Sequence, residues 1–472
     1  MSALSAIVMA AGEGKRMRSR KPKVLHELGG RPMVRYPIEL ALSLGASPVV
    51  VVTGHQGELV RGAVDRFALP GVSTVDQGAP QGTGHAVLTA VPALDGFDGT
   101  VLILSGDVPL LTAETLRALV ARHEQAKAVL TLLAMELHDA GSYGRVVVDE
   151  TGAATCIVEA KDATAEQRAI GLANAGIYAA SASFLREALP TLGNRNAQGE
   201  YYLTDLVSIA HQRGLRAVHA VVPDGDEVHG VDDRVKLARA AAILNRRTLT
   251  ALMQGGVTVR DPESTWVDAG VVVGADTMLD PGAEIRGASK VGEGCRIGTG
   301  AIVVDSELAD GVTIKPYCVI EESRIASGTS VGPMAHLRPG SDLGPDVKIG
   351  NFVEVKKATF GAGSKASHLT YVGDASIGKN VNLGCGTITC NYDGVSKFKT
   401  VIEDDVFVGS DTQLVAPVTV GRGAYIGSGS TITRDVPPDA LAVARGKQRN
   451  IEGWATSSHA PGKKPRSQGD GH

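Results

Sequence analysis

An aliphatic residue at every sixth position is the feature of this chain that leaves its fold the least freedom. The series runs Val273, Leu279, Ile285, Val291, Ile297 and Val303. It returns at Ile325, Val331, Leu337, Leu343, Ile349 and Val355, and again at Ile402, Val408, Leu414, Val420, Ile426 and Ile432. A helix repeats its buried face every ~3.6 residues and a strand every ~2, so neither accounts for a period of six. A coil with three flat sides does, because each hexapeptide supplies one side and its aliphatic residue fills the interior. Glycine often follows the aliphatic position, as in Val291-Gly292, Ile297-Gly298 and Ile349-Gly350, where a small residue lets the backbone turn a corner. Three runs in register predict a parallel β-helix from 255 to about 455. The period fails between about 389 and 400 (TCNYDGVSKFKT), so an insertion must leave the coil there as a loop, a common place for function. Regularity ends after Pro437-Pro438, and the polar stretch 456–472 reads as a disordered tail.

Residues 1–230 follow a different pattern. Short apolar runs at Ala6–Ala10, Val49–Thr53 and Val101–Leu104 alternate with helical segments such as Thr112–Gln125, whose Leu116, Leu119 and Val120 share one face. This alternation predicts an α/β doubly wound, Rossmann-like domain with its strands buried in a parallel sheet. Arg145–Asp149 and Ala153–Glu159, joined by Glu150-Thr151-Gly152, read as an added hairpin. Residues 231–254 contain no Gly or Pro and read as a helix of roughly six turns. It either links two domains or closes the first.

Composition narrows the functional classes. Fifty-eight glycines against 4% aromatics suit a fold with many tight turns. No apolar run approaches the ~18 residues of a membrane helix. Met1–Gly12 lacks a basic segment and reads as a buried strand, not a signal peptide. Cys156, Cys295, Cys318, Cys385 and Cys390 show no metal-ligand spacing and read as free thiols of a cytoplasmic protein. A net charge of −4 argues against nucleic acid or an anionic membrane as partner, so any phosphate site must be built from local Lys and Arg.

Three motifs carry chemistry in the first half. Met9-Ala10-Ala11-Gly12-Glu13-Gly14-Lys15-Arg16-Met17 follows the first predicted strand. Its small residues let backbone N–H groups approach a polyphosphate, and Arg16 adds a fixed charge. No GxxxxGK[ST] loop is present, and an ordinary strand-to-helix turn explains the glycines equally well. Gln81-Gly82-Thr83-Gly84-His85-Ala86 opens a helix whose glycines admit a flat base, with Thr83 able to bond its edge. Ser105-Gly106-Asp107-Val108-Pro109 ends a strand, where α/β sheets hold ligands. A carboxylate there suits Mg²⁺, which takes hard oxygens and bridges carboxylates to phosphates. The plainer alternatives are a turn residue for Asp107, a surface ammonium for Lys23 and a helix cap for Asp232.

In this order the motifs resemble the bifunctional N-acetylglucosamine-1-phosphate uridyltransferase/glucosamine-1-phosphate acetyltransferases, over residues 1 to about 455. The resemblance is carried by MAAGEGKRM, KPKVLH, QGTGHA, SGDVPLL, YGRVV, IVEAKDA and NAGIY in the first half. In the second it is carried by AHLRPGS, GNFVEVKKA, SHLTYVGDA, TITCNYDG, KFKT and FVGSDTQLVAPVTVG. It implies a left-handed β-helix and a homotrimer. It also implies acetyl transfer from acetyl-CoA to glucosamine-1-phosphate, then uridyl transfer from UTP to N-acetylglucosamine-1-phosphate, supplying peptidoglycan and lipopolysaccharide precursors.

By the same resemblance Met9, Ala10, Ala11, Gly12, Lys23, Gln77, Gly82, Thr83, Gly144, Glu159, Asn174 and Asp232 contact the UDP-sugar. Arg16 neutralises the triphosphate, and Asp107 with Asp232 holds Mg²⁺. In the β-helix, Arg338, Lys356, Tyr371 and Asn382 bind the sugar phosphate. His368 is the acetyl-transfer base, supported by Asn391 and Tyr392, which with Ser410, Ser428 and Arg445 also meet acetyl-CoA. The chain departs from the family pattern at three places. Lys15 replaces a small hydroxyl residue, Asp232 an Asn, and Ser428 a common Ala.

Two rival readings share the folds. A single-function nucleotidyltransferase with a regulatory β-helix leaves His368 and the Asn391-Tyr392 loop without a role. A catalytically silent interaction protein leaves Asp107 and the glycine loop without one.

Overall fold

The computed structural model describes residues 3–456. The stretch expected to be a disordered tail lies, from 457 onward, outside the described residues. The chain divides into two compact units. The first runs to Ala251 and includes Val267–Gly270; the second comprises Leu252–Trp266 and the chain from Val271 onward.

One sheet organises the first unit, in the strand order Ala217–Val221, Leu130–Glu136, Leu172–Ser181, Thr100–Ser105, Leu4–Met9, Val49–Thr53, Val72–Asp76. Its central strands are continuous apolar runs because helices cover both faces. Val8, Val51 and Leu102 pack with Ile38, Val60, Leu116 and Leu119 on one side. Their neighbours Ile7, Val50 and Ile103 pack with Val87, Phe184 and Leu206 on the other. The expectation of a parallel sheet needs correcting at one strand. Leu172–Ser181 runs antiparallel to both Thr100–Ser105 and Leu130–Glu136. Between Leu130–Glu136 and this strand lie only the antiparallel hairpin Arg145–Val148/Ala154–Val158 and the single-turn helix Ala165–Arg168. The only helix there is a single turn, so no helical crossover carries the chain back along the sheet for a parallel re-entry.

Arg234–Gln254 forms one helix. The Asp233 carboxylate caps it, Oδ1 accepting the Lys236 N–H at 2.8 Å. Ala240, Ile243 and Leu244 pack with Leu28, Met33 and Leu110 of the first unit. No helix among the described residues is long and apolar enough to cross a membrane.

In the second unit each coil contributes three short strands, such as Lys290–Val291, Arg296–Ile297 and Ile302–Val304. Each pairs in parallel with its equivalent 17 or 18 residues on: Ile285 with Val303, Val291 with Leu308, Ile297 with Ile314. Of the periodic aliphatic residues only Val273, in an early coil, is not buried. The pause in the series after Val303 is no pause in the fold. Leu308, Ile314 and Ile320 fill the interior there, one side of the coil being a residue short. Buried hydroxyls stack at an inner corner. Ser289, Ser306, Ser323 and Ser341 each donate to a backbone carbonyl, and Ser289 and Ser306 each accept the N–H of the serine one coil on. That arrangement satisfies polar groups that burial would otherwise penalise. At the insertion Asn382 pairs with Phe407, 25 residues away, and the excursion is pinned by a Tyr392–Lys397 bridge.

Candidate functional site

Where Leu4–Met9 leaves the sheet, the Ala10 N–H donates to the Val52 carbonyl. The chain then turns through Gly14 into the short 3-10 turn Lys15–Met17. Gly14 has φ of 65°, and a Cβ on it would lie 2.6 Å from the Cβ of Lys23. Only glycine allows both the conformation and the close approach. The Lys23 stem therefore crosses the loop, and its ammonium pairs with Asp107 Oδ2, the two side chains being 16% and 15% exposed. Ser105 Oγ donates to Asp107 Oδ1 at 2.6 Å. Burial pushes the Asp107 carboxyl up, but the Lys23 charge and the hydrogen bonds from Lys23 and Ser105 outweigh it. The carboxyl is held below the usual range and stays ionised at neutral pH.

These elements line a cavity of about 550 Å³ together with Met9, Ala10, Ala11, Gly12, Gln77, Gly82, Thr83 and Glu200. Gln77 Nε2 donates to the Gly82 carbonyl at 3.0 Å. Thr83 Oγ1 accepts the Leu203 N–H at 3.1 Å, so its hydroxyl hydrogen is the part left to offer a ligand. Gly144, Glu159 and Asn174 form an adjoining group. The Asn174 N–H donates to Gly144 O at 2.8 Å, and a Cβ on Gly144 would stand 3.5 Å from Glu159 Oε1. Thr204, next to Leu203, donates to Glu159 at 3.3 Å, while burial raises that carboxyl above its ordinary value.

Asp232 joins the Asp107 loop through its neighbour, the Val231 N–H donating to the Asp107 carbonyl at 2.8 Å. The helix cap is Asp233, so the capping alternative for Asp232 falls. Asp232 Oδ2 lies 2.9 Å from both Arg16 and Lys236. Its Oδ1 is buried and has no hydrogen-bond partner among the described residues. Lys15 is spent on Glu13, 2.6 Å away and exposed. Among the described residues no three His, Cys, Asp or Glu gather as a metal cage. Two carboxylates on tied loops, one with an unsatisfied buried oxygen, do fit a cation that completes its shell with phosphate oxygens.

In the second unit Arg338 pairs with Glu354 at 2.8 Å, which raises the Arg338 pKa further. The Lys356 ammonium is pushed below its usual value by the Lys397 and Arg338 charges. Three cations thus share one face, a setting for a phosphate. Lys397, on the insertion, is missing from the sequence-derived site; the KFKT motif was its signal. Tyr371 stacks between Glu354 and Ile388, and Asn391 Nδ2 donates to Asp374 at 2.5 Å. Tyr392, exposed, donates to Gly394 O at 2.5 Å. His368 and Asn382 belong to the other ladder, His368 beside Asn351 and Asn382 between Lys365 and Phe407. His368 Nδ1 lies 2.8 Å from Asn351 Oδ1. An amide oxygen only accepts, so Nδ1 carries the hydrogen and Nε2 presents a lone pair. Ser410, Ser428 and Arg445 stack along one edge. Arg445 donates to the Ser428 carbonyl at 2.6 Å and the Gly429 N–H to Ser410 O at 2.8 Å.

A cavity at the carboxyl ends of central strands, rimmed by lysine and carboxylate, followed by a β-helix bearing a histidine and a cation cluster, defines a nucleotidyltransferase fused to a hexapeptide-repeat transferase. Residues 6–170 match the MobA-like NTP transferase domain, and 399–434 the bacterial transferase hexapeptide (six repeats). Residues 267–365 match the GMPPB C-terminal domain. The bifunctional protein GlmU of Geobacter sulfurreducens is 52% identical over 471 residues, covering 96% of this chain and 98% of its own. That of Pelobacter propionicus is 51% identical over 455 residues, with 96% and 98% covered. That of Anaeromyxobacter sp. is 52% identical over 459 residues, with 97% and 93% covered. The chain belongs to the bifunctional GlmU family, and is an enzyme with two transferase domains.

Proposed function

We propose that the chain acetylates glucosamine-1-phosphate with acetyl-CoA on its β-helix and joins the product to UTP in its α/β unit. Pyrophosphate is released and UDP-N-acetylglucosamine formed. The observation that carries the reading is the coexistence, in one chain, of the Lys23–Asp107 cavity and the Arg338–Lys356–Lys397 cluster with an oriented His368.

Uridyl transfer needs an in-line attack by a sugar-phosphate oxygen on the α-phosphorus of UTP. Both partners are anions, so alignment and charge neutralisation are the main tasks. Asp107 and Asp232 would hold Mg²⁺, which supplies part of that neutralisation when bound. Lys23 and Arg16 offset the two carboxylates in the free protein and can turn to the phosphates when these arrive. Gly12 and Gly14 keep the loop thin enough for backbone N–H groups to approach them.

Acetyl transfer asks for a base. A sugar amine is mostly protonated near neutrality and must lose a proton before attacking the thioester. His368 takes that proton at Nε2 while Asn351 fixes its tautomer. Arg338, Lys356 and Lys397 anchor the phosphate, and the Ser410–Ser428–Arg445 edge receives acetyl-CoA.

A homotrimer in the cytoplasm completes the reading. Tyr317, Met334, Phe352 and Leu369 stack on successive coils, each about half exposed and each at positive φ. A column of large apolar side chains held in a disfavoured backbone conformation is a surface built to be covered. Two product assays test the function. Asp107→Ala should abolish UDP-sugar formation and spare acetyl transfer. His368→Ala should do the reverse, lowering acetyl transfer by ~10²–10⁴-fold. Loss of both activities in either folded variant refutes the two-site reading.

A further inference from the structure

Gln77 is 7% exposed at the wall of the 550 Å³ cavity, and both hydrogens of its amide are committed within the protein. Nε2 donates to the Gly82 carbonyl at 3.0 Å and lies 3.1 Å from His85 Nδ1. A carbonyl oxygen only accepts, so the first contact decides which end of the amide is nitrogen. The second then makes His85 the tautomer whose Nδ1 lone pair accepts. Oε1 remains, with no hydrogen bond from the described residues. The cavity is offered an acceptor there and no donor.

The frame behind this pair is rigid. Gly82 sits at φ of 107°, and a Cβ on it would come 2.5 Å from the Tyr201 carbonyl. That carbonyl accepts the Gly84 N–H at 2.8 Å, and the Tyr201 N–H donates to Gln81 O at 2.8 Å. The His85 ring stands 6.4 Å from the Tyr201 ring, in the first turn of the helix Thr83–Ala90. A flipped Gln77 amide would set its oxygen against the Gly82 carbonyl, an acceptor–acceptor contact, and would keep the His85 contact only if the ring hydrogen moved to Nδ1.

We infer that His85 is a positioning residue: by accepting the second amide hydrogen it holds the Gln77 amide, which the Gly82 carbonyl orients, with its oxygen toward the base, and so contributes to which pyrimidine the cavity accepts. The inference rests on the uridyl-transfer reading above. Uracil carries a hydrogen on N3 and can donate to Oε1. Cytosine presents a bare N3 lone pair and would meet Oε1 acceptor to acceptor. Sites built around one hydrogen-bond pattern discriminate by leaving the wrong partner unpaired. His85 supports that pattern without touching the base.

The test compares kcat/KM for UTP and CTP in the full-length protein. His85→Phe keeps the ring beside Tyr201 and removes the acceptor, and His85→Leu provides a second variant without one. Each should lower the UTP-over-CTP ratio by roughly three- to tenfold, the scale of one neutral hydrogen bond, mainly through a higher KM for UTP. His85→Asn, whose Oδ1 can stand where Nδ1 stood, should restore most of it. In a Gln77→Leu background, His85→Phe should change the ratio no further. A folded Phe or Leu variant that discriminates as well as the wild type overturns the inference, as does additivity in the double variant. Wild-type protein that uses neither nucleotide overturns the uridyl-transfer reading and the inference together.

Discussion

Asp232→Asn isolates the proposed metal site, because it removes one charge and almost no shape. In the free protein Asp232 Oδ2 meets Arg16 and Lys236, each at 2.9 Å, through partners that are 70% and 44% exposed. Exposed pairs of this kind are worth ~0.2–1 kcal/mol each. Losing both therefore costs about 1 kcal/mol, less whatever is regained by removing a carboxylate that is only 16% exposed. A unit of this size melts roughly 2–4 °C lower per kcal/mol. The metal contact should change more. The amide keeps an oxygen but not the negative charge that a hard cation prefers. Half-saturating Mg²⁺ in uridyl transfer should rise about tenfold, equivalent to ~1.4 kcal/mol, with activity recovered at high Mg²⁺. Asp232→Ala should lose most of the activity. A Mg²⁺ titration of the rate measures this. Thermal shift against Mg²⁺ gives a second readout, since a ligand bound only by the folded state raises the melting point by mass action. Acetyl transfer should be untouched in both variants. Unchanged half-saturation in both would refute the ligand role and leave Asp232 as an anchor for Arg16 and Lys236.

Three further outcomes follow from the packing. Lys23→Met strands the buried Asp107 charge and should cost about 3 kcal/mol at pH 7. Because the folded Asp107 pKa is depressed, the pair's stabilisation is present above the unfolded carboxylate value of about 3.9 and fades as pH falls through the folded value. In the variant, burial acts on Asp107 without the Lys23 charge and pushes its carboxyl up, so the stranded charge is neutralised as pH falls while the wild type still keeps its pair. The gap should narrow in melts at pH 4.5, and an equal gap at both pH values would contradict the ion pair. Leu337→Ala, at a fully buried coil position, should lower the second unit's stability by about 2–5 kcal/mol in calorimetry; a loss under about 1 kcal/mol would mean a loosely filled interior. Phe352→Asn suits φ of 57° better than Phe does, so it should weaken self-association in sedimentation without lowering the melting point of the isolated chain. Undiminished self-association would remove the apolar column from the interface.

The β-helix was legible in the sequence because its cause is local. A flat-sided coil places the same position inward at every sixth residue, whatever the rest of the chain does, and Leu279 through Ile432 are buried accordingly. The count stalled after Val303 because one short side shifts the register by a residue, so Leu308, Ile314 and Ile320 fell out of phase while remaining interior. The central strands of the first unit were equally plain, their apolar runs set by burial on both faces. The direction of Leu172–Ser181 was not, since it depends on what connects the strands and not on their composition. At the sites, the glycine loop, Asp107 and His368 stood out by residue type. Their electrostatics did not. Which aspartate caps the helix and which faces Arg16 is decided by where the chain returns to the Asp107 loop, through Val231. Lys397 joins Lys356 only because the insertion folds back over the coil. The orientation of Gln77 depends on His85 and a carbonyl whose place is set by Tyr201. Periodicity and residue type are properties of a segment and survive in one dimension; charge pairing and amide orientation are fixed by groups distant in sequence, and exist only once folding has removed the water between them.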